Sequence, residues 1–214
     1  MESPLGPGAS IAMRLAEAGR RLERRGWALG TSGNFSAVVA NDPIRLAITA
    51  SGVDKASLSE RDIVEVDGDA RLVSGHGRPS AEAHLHVAVV KTRGAGAVLH
   101  THSVWSTLLT GAAEAGEISI RGYEMLKGLA GVTTHEHEER VPILENAQDM
   151  PTLARDVEAI LARRPEAHAF LLRRHGLYTW GRDLSEAVRH VEILEYLFEV
   201  VGRSRSRSRR TDGD

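Results

Sequence analysis

The sequence predicts an α/β protein, a domain whose largely antiparallel β-sheet is covered by helices. Three observations carry that class. Candidate strands outnumber candidate helices. Many are joined by turns too short for a helical crossover, which favours antiparallel pairing. Each main helical segment carries an apolar stripe, so it has a face to bury and needs a sheet to bury it on. At 214 residues the chain is long enough for one large core, and length alone leaves room for a second domain.

Residues 1–9 are rich in Gly, Pro and Ser and read as a disordered N-terminus. Ser10 can cap a helix in which Ile11, Leu15, Ala18 and Leu22 share a stripe and Gly26 marks the end. A Gly/Ser-rich loop from Gly30 runs into a first strand, and Asn41-Asp42-Pro43 turns the chain into a second over 45–49. Polar loop follows through 50–62, then strands at 63–66 and 70–73 joined by the hairpin signal Asp67-Gly68. After a loop over 74–79, a helix is expected from Ser80 with Leu85, Ala88 and Val89 inward.

Residues 95–99 read as a buried strand, followed by a short helix from Ser103, a strand at 117–121 and a short helix over 122–129. A strand at 141–144 precedes a helix near 151–163, and 168–180 reads as a strand pair broken at His175-Gly176. The last helix, 184–201, buries Ala187, Val191, Leu194 and Leu197. The low-complexity run RSRSRSRRTDGD after it is read as a disordered, solvated tail over 203–214, leaving 10–202 as one folded domain.

Bulk properties exclude several classes of function. The chain is 42% hydrophobic with a net charge of −2, ordinary for a soluble globular protein. That balance makes no general case for nucleic acid or an anionic membrane as partner. There is no cysteine, so disulfides and thiolate ligands are out, and a metal would have to sit on His and carboxylate. No run approaches the ~18 apolar residues of a membrane span. The start, MESPLGPGAS, lacks the basic and apolar regions of a secretory signal, so the cytoplasm is the expected location.

The chemistry centres on GAGAVLHTHSVW, residues 94–105. Alternate side chains of a strand share a face, so His100 and His102 point one way and Thr101 the other. Two imidazoles converging from a stiff strand end suit a first-row metal such as Zn²⁺, although ordinary hydrogen-bonded histidines show the same spacing. His175, where an apolar strand ends in His-Gly, would complete a three-histidine set with one position open. His135 and His137 form a second His-x-His, among acidic residues and with no apolar strand before them, and read as exposed loop.

Two carboxylates compete for acid/base work. Glu82 falls in the first turn of a helix, where the positive helix end favours its ionised form, and could equally be a cap. Glu124, in GYEMLKG, would face solvent unless it lines a pocket. Three short elements offer hydroxyls and backbone N–H groups to an anion, namely Thr31-Ser32-Gly33-Asn34, Ser51-Gly52 and Ser80.

In order along the chain, SGNFS, TASGVDK, RPSAEAHLH, GAGAVLHTHS and RRHGLYTWG resemble the class II aldolase family over nearly all of residues 10–200. That family includes the fuculose- and rhamnulose-phosphate aldolases and the ribulose-phosphate 4-epimerases. The resemblance implies one three-layer domain with helices on both sides of the sheet. It implies one Zn²⁺ per subunit on His100, His102 and His175, and a sugar phosphate held through Gly33, Asn34, Ser51, Gly52 and Ser80. Ala81 stands where the family usually has a second serine, which removes one phosphate contact. A homotetramer with sites at subunit boundaries is also implied, with no nucleic-acid or membrane partner.

Within the family, HTHSVW, YEMLKGL, VPILEN and LLRRHGLYTWG are most similar to its dehydratases, which remove water from a methylthio-substituted pentulose 1-phosphate in methionine salvage. Those enzymes imply an acid/base role for Glu124, whereas the aldolases imply one for Glu82. The alternatives are an aldolase or 4-epimerase acting on another sugar phosphate, and a non-catalytic interaction protein on the same fold.

Overall fold

The computed structural model describes residues 9–113 and 116–211, with side chains as far as residue 206. The chain forms α1 (Ile11–Arg24), β1 (Asn34–Asn41), β2 (Ile44–Thr49), β3 (Ile63–Asp67), β4 (Leu72–Ser74), α2 (Ala83–Arg93) and β5 (Ala97–Thr101). It continues with α3 (Val104–Ala112), β6 (Glu117–Arg121), β7 (Glu138–Leu144), α4 (Met150–Arg163), β8 (Ala169–Leu172), β9 (Gly176–Gly181) and α5 (Leu184–Thr211). Residues 1–8, most of the expected disordered N-terminus, lie outside the described residues, as do 212–214.

The nine strands make one sheet in the order β4-β3-β2-β1-β5-β9-β8-β7-β6, antiparallel throughout except where β7 runs parallel to β8. Alternation along β5 divides the core. Val98 packs with Leu85 and Val89 of α2 and with Leu153 and Val157 of α4. Ala97 and Leu99 face Leu15 and Leu22 of α1 and Val191 of α5. A third cluster joins Leu109 of α3 and Leu197 of α5 to Leu171 and Leu177. Helices therefore cover both faces, as the family resemblance implies. Among the described residues no helix is long and apolar enough to cross a membrane.

Several elements differ from expectation for local reasons. The hairpin expected over 63–73 turns through four residues, 68–71, because Asp67 Oδ1 accepts from the amides of Asp69 and Arg71 and Ala70 takes a left-handed φ of 60°. The helix expected from Ser80 begins at Ala83. Residues 80–82 are instead a turn closed by Ala83 N–H donating to Ser80 O at 3.0 Å. The short helix expected over 122–129 is a 3₁₀ turn, Glu124–Gly128.

The final helix runs to Thr211, through most of the Arg/Ser stretch expected to be a disordered tail from 203. Arginine is a good helix former, and a helix already held by packing adds one hydrogen bond per further residue. Arg203 pairs with Glu199 at 2.6 Å and lies over the Trp105 ring, while Ser206 Oγ donates to Gly202 O.

Candidate active site

Position 100 is the last residue of β5 on the α2 face, and the register sets His100 opposite Tyr178 of β9. The two rings stack at 3.9 Å, and Tyr178 stacks in turn on Phe170. Thr101 turns to the other face and donates to Glu195 Oε1 of α5 at 2.8 Å. His102, just beyond the strand, is anchored by its amide donating to Trp27 O at 2.7 Å. His175 arrives from the turn between β8 and β9. Gly176 lets that turn approach, since a Cβ there would lie 2.1 Å from Thr101 O.

The three rings gather within ligand distance, their candidate donor atoms all within 4.8 Å of one another. His100 Nδ1–H donates to Leu177 O at 2.9 Å, which leaves its Nε2 lone pair facing His102 Nε2 at 2.8 Å. His175 Nδ1 meets Asn146 Oδ1 at 3.3 Å, leaving its Nε2 inward. Burial, followed by the neighbouring imidazoles, pushes His100 well below its ordinary pKa and His102 down to about 4. Burial also lowers His175, against Glu82. Neutral rings with converging inner nitrogens, two of them held through their outer nitrogens, are what a divalent metal requires, so the residues fit one.

Glu82 belongs to the same cluster. Its Oε1 lies 3.3 Å from His175 Nε2 and 3.7 Å from His100 Nε2. It makes no capping bond to α2, so the capping alternative is not the one adopted. Instead Asn34 Nδ2 donates to Glu82 Oε2 at 2.5 Å and to Ser80 Oγ at 3.2 Å. His86 sets that amide's orientation. Burial lowers its pKa to about 3, so the ring is neutral, and Nε2–H donates to Asn34 Oδ1 while Nδ1 accepts from Ser36 Oγ. Sequence reasoning missed His86; the one signal available was a histidine falling beside Leu85 on the helix's buried face.

Beside the histidines lies a pocket of about 210 Å³. Gly33, Asn34, Ser51, Gly52 and Ser80 all line it, so the fold unites the three anion-binding candidates with Glu82, His102 and His175. Gly33 needs φ +73°, and a Cβ there would meet His100 O at 2.7 Å. Lys55 also lines the pocket and was missed by sequence reasoning.

Glu124 is not brought to this site. Its side chain is 73% exposed, pairs with Lys127 at 2.7 Å and lies 3.9 Å from His135. The second His-x-His is also rearranged. β7 begins at Glu138 and buries Glu139, which binds His137 Nε2 at 3.0 Å and His168 Nδ1 at 2.8 Å. His137, Glu139 and His168 lie close enough to hold a metal. However, His168 Nε2 also meets Ala130 O at 2.8 Å, so both its nitrogens face acceptors. Burial opposes its charge, but the bond and ion pair with Glu139 raise its pKa, making this a buried ion pair. His135 stays exposed, as expected.

A family model for the Class II Aldolase and Adducin N-terminal domain matches residues 13–201. The chain is 44% identical over 193 residues to the methylthioribulose-1-phosphate dehydratase of Marinobacter nauticus, covering 89% of this chain and 92% of that one. The enzyme of that name from Methylococcus capsulatus is 45% identical, covering 90% and 93%. Among solved structures, the L-fuculose-1-phosphate aldolase of Thermus thermophilus superposes with a TM-score of 0.71 at 26% identity, covering 91% of this chain and 94% of its own.

Proposed function

The chain belongs to the class II aldolase and adducin family, and from that premise we propose that it is a cytoplasmic lyase of methionine salvage. The reaction is loss of water from 5-methylthioribulose 1-phosphate, giving 2,3-diketo-5-methylthiopentyl 1-phosphate. The observation that supports this best is the convergence of three neutral histidines and Glu82 beside a polar, phosphate-sized pocket, in a chain similar to dehydratases of that name.

A divalent metal on His100, His102 and His175, zinc in this reading, would supply a Lewis acid for the substrate's C2 carbonyl and C3 hydroxyl oxygens and so acidify the C3 hydrogen. Gly33, Asn34, Ser51, Gly52 and Ser80 orient the phosphate end with N–H and O–H donors. Glu82, held by Asn34, orders the histidine cluster. Glu124 takes the C3 proton and delivers a proton to the C4 hydroxyl, which leaves as water; the resulting C3 enol ketonises. Because Glu124 is exposed on its own chain, this role needs a homotetramer in which it enters a neighbour's site across the subunit boundary.

Glu82 beside the histidines supports a second reading, an aldolase or 4-epimerase on another sugar phosphate, because Glu82 matches the carboxylate implied for aldolases. Supplying purified enzyme separately with 5-methylthioribulose 1-phosphate and fuculose 1-phosphate decides between them. Water loss from the first is expected. Cleavage of the second to dihydroxyacetone phosphate would overturn the proposal.

A further inference from the structure

We propose that Lys55 supplies the positive charge that holds the substrate's phosphate, an inference that rests on the sugar-phosphate reading above and deepens it. Lys55 opens a 3₁₀ turn, Lys55–Ser57, directly after the Ser51-Gly52 loop, and is only 1% exposed. Its Nζ donates to Thr31 O at 3.1 Å and to Val53 O at 3.0 Å. The ammonium is thus fixed between the two loops that carry Gly33 and Asn34 on one side and Ser51 and Gly52 on the other. Two of its three donors are used on these carbonyls.

No carboxylate among the described residues pairs with it. Asp54 caps Ala56 and Asp62 binds Ser59, each acting on Lys55 only at longer range. Burial outweighs both and lowers its pKa, the sign of a cation whose charge is not matched locally. A buried charge without a counterion is costly, and an anion in the adjoining pocket would relieve it.

Around the phosphate end the pocket offers otherwise uncharged donors, the hydroxyls and backbone N–H groups of Gly33, Asn34, Ser51, Gly52 and Ser80, with the carboxylate of Glu82 nearby. Lys55 is the only Lys or Arg in that lining. Backbone N–H groups and hydroxyls give the phosphate its direction, and Lys55 gives it net attraction.

The test measures competitive inhibition by inorganic phosphate, and KM for 5-methylthioribulose 1-phosphate, in metal-loaded wild type, Lys55→Gln and Lys55→Met. Glutamine keeps a donor for the loop carbonyls but no charge. Bound metal and thermal melting are checked first, and the methionine variant serves if the glutamine variant does not fold. Both constants should rise roughly 100-fold in the neutral variants, the usual scale for unpairing a buried charged group. Non-phosphorylated 5-methylthioribulose should bind equally well to all three proteins. Phosphate inhibition unchanged in a folded neutral variant would show that Lys55 only staples the loops, and would overturn the inference alone. No inhibition of wild type by phosphate would overturn the phosphate subsite and the inference together.

Discussion

Replacing Glu195 with Gln should stabilise the protein above neutral pH and leave it nearly unchanged near pH 4.5. Glu195 is 2% exposed, and its Oε2 has no hydrogen-bond partner. Burial raises its pKa from an ordinary 4.5 to about 7, against the Ser103 and Thr101 hydroxyls. The sign is the reverse of a salt-bridged carboxylate. Between those two values the native chain holds a proton that the unfolded chain has released, so stability falls as pH rises through the window and then levels off. At about 1.4 kcal/mol per pKa unit, the loss by pH 8 is roughly 3 kcal/mol. Glutamine is neutral at every pH and can still accept from Thr101, so it escapes that loss. The assay is urea unfolding of chelator-treated wild type and variant at pH 5 and pH 8, with m-values compared. The variant's advantage should grow by most of that amount between the two pH values, or several degrees in Tm for a chain of this size. An advantage that is the same at both would refute the reasoning, placing Glu195 in a site that water or a proton donor already satisfies.

Glu124→Gln should keep bound metal and lose roughly 10²–10⁴-fold in kcat, the usual worth of a positioned acid/base. Glu82→Gln should do less to turnover of metal-replete enzyme but bind metal more weakly, because its amide would face the inner nitrogens of His175 and His100; a larger kcat loss at Glu82 would exchange the two roles. Mixing Glu124→Gln with His100→Ala subunits, each severely impaired alone, should raise activity above either if Glu124 acts across a boundary, since some sites then combine an intact metal set with an intact glutamate. No recovery after verified subunit exchange would place Glu124 outside the chemistry. Gly176→Ala should destabilise by about 1–3 kcal/mol or more, because the new Cβ meets backbone at Thr101 O rather than a movable side chain. Unchanged melting and metal affinity in that variant would contradict the close approach of β9 to β5.

Strand order of residue types was enough to read much of this protein. A five-residue apolar run ending in His-Thr-His dictates a buried strand with both imidazoles on one face, because the side-chain period of a strand is two. Ser10, Ser103 and the stripe of Leu15, Ala18 and Leu22 likewise act through neighbours a few residues away, so α1 and α3 begin where the sequence places them. The anion loops were legible as residue types, and the fold brought them into one pocket. What depends on partners far along the chain was not legible. Glu82 stands at the N-cap of α2 without capping it, its carboxylate turned to Asn34, 48 residues away. Lys55 is buried because carbonyls of two loops meet over it. Glu139 passes from a supposed surface loop to the interior because His168 waits on β8's flank. The Arg/Ser stretch continues a helix because α5 is already anchored by its apolar face against the sheet. Local propensity and periodicity decide the elements, whereas burial and charge pairing are properties of surfaces that exist only once the sheet has assembled.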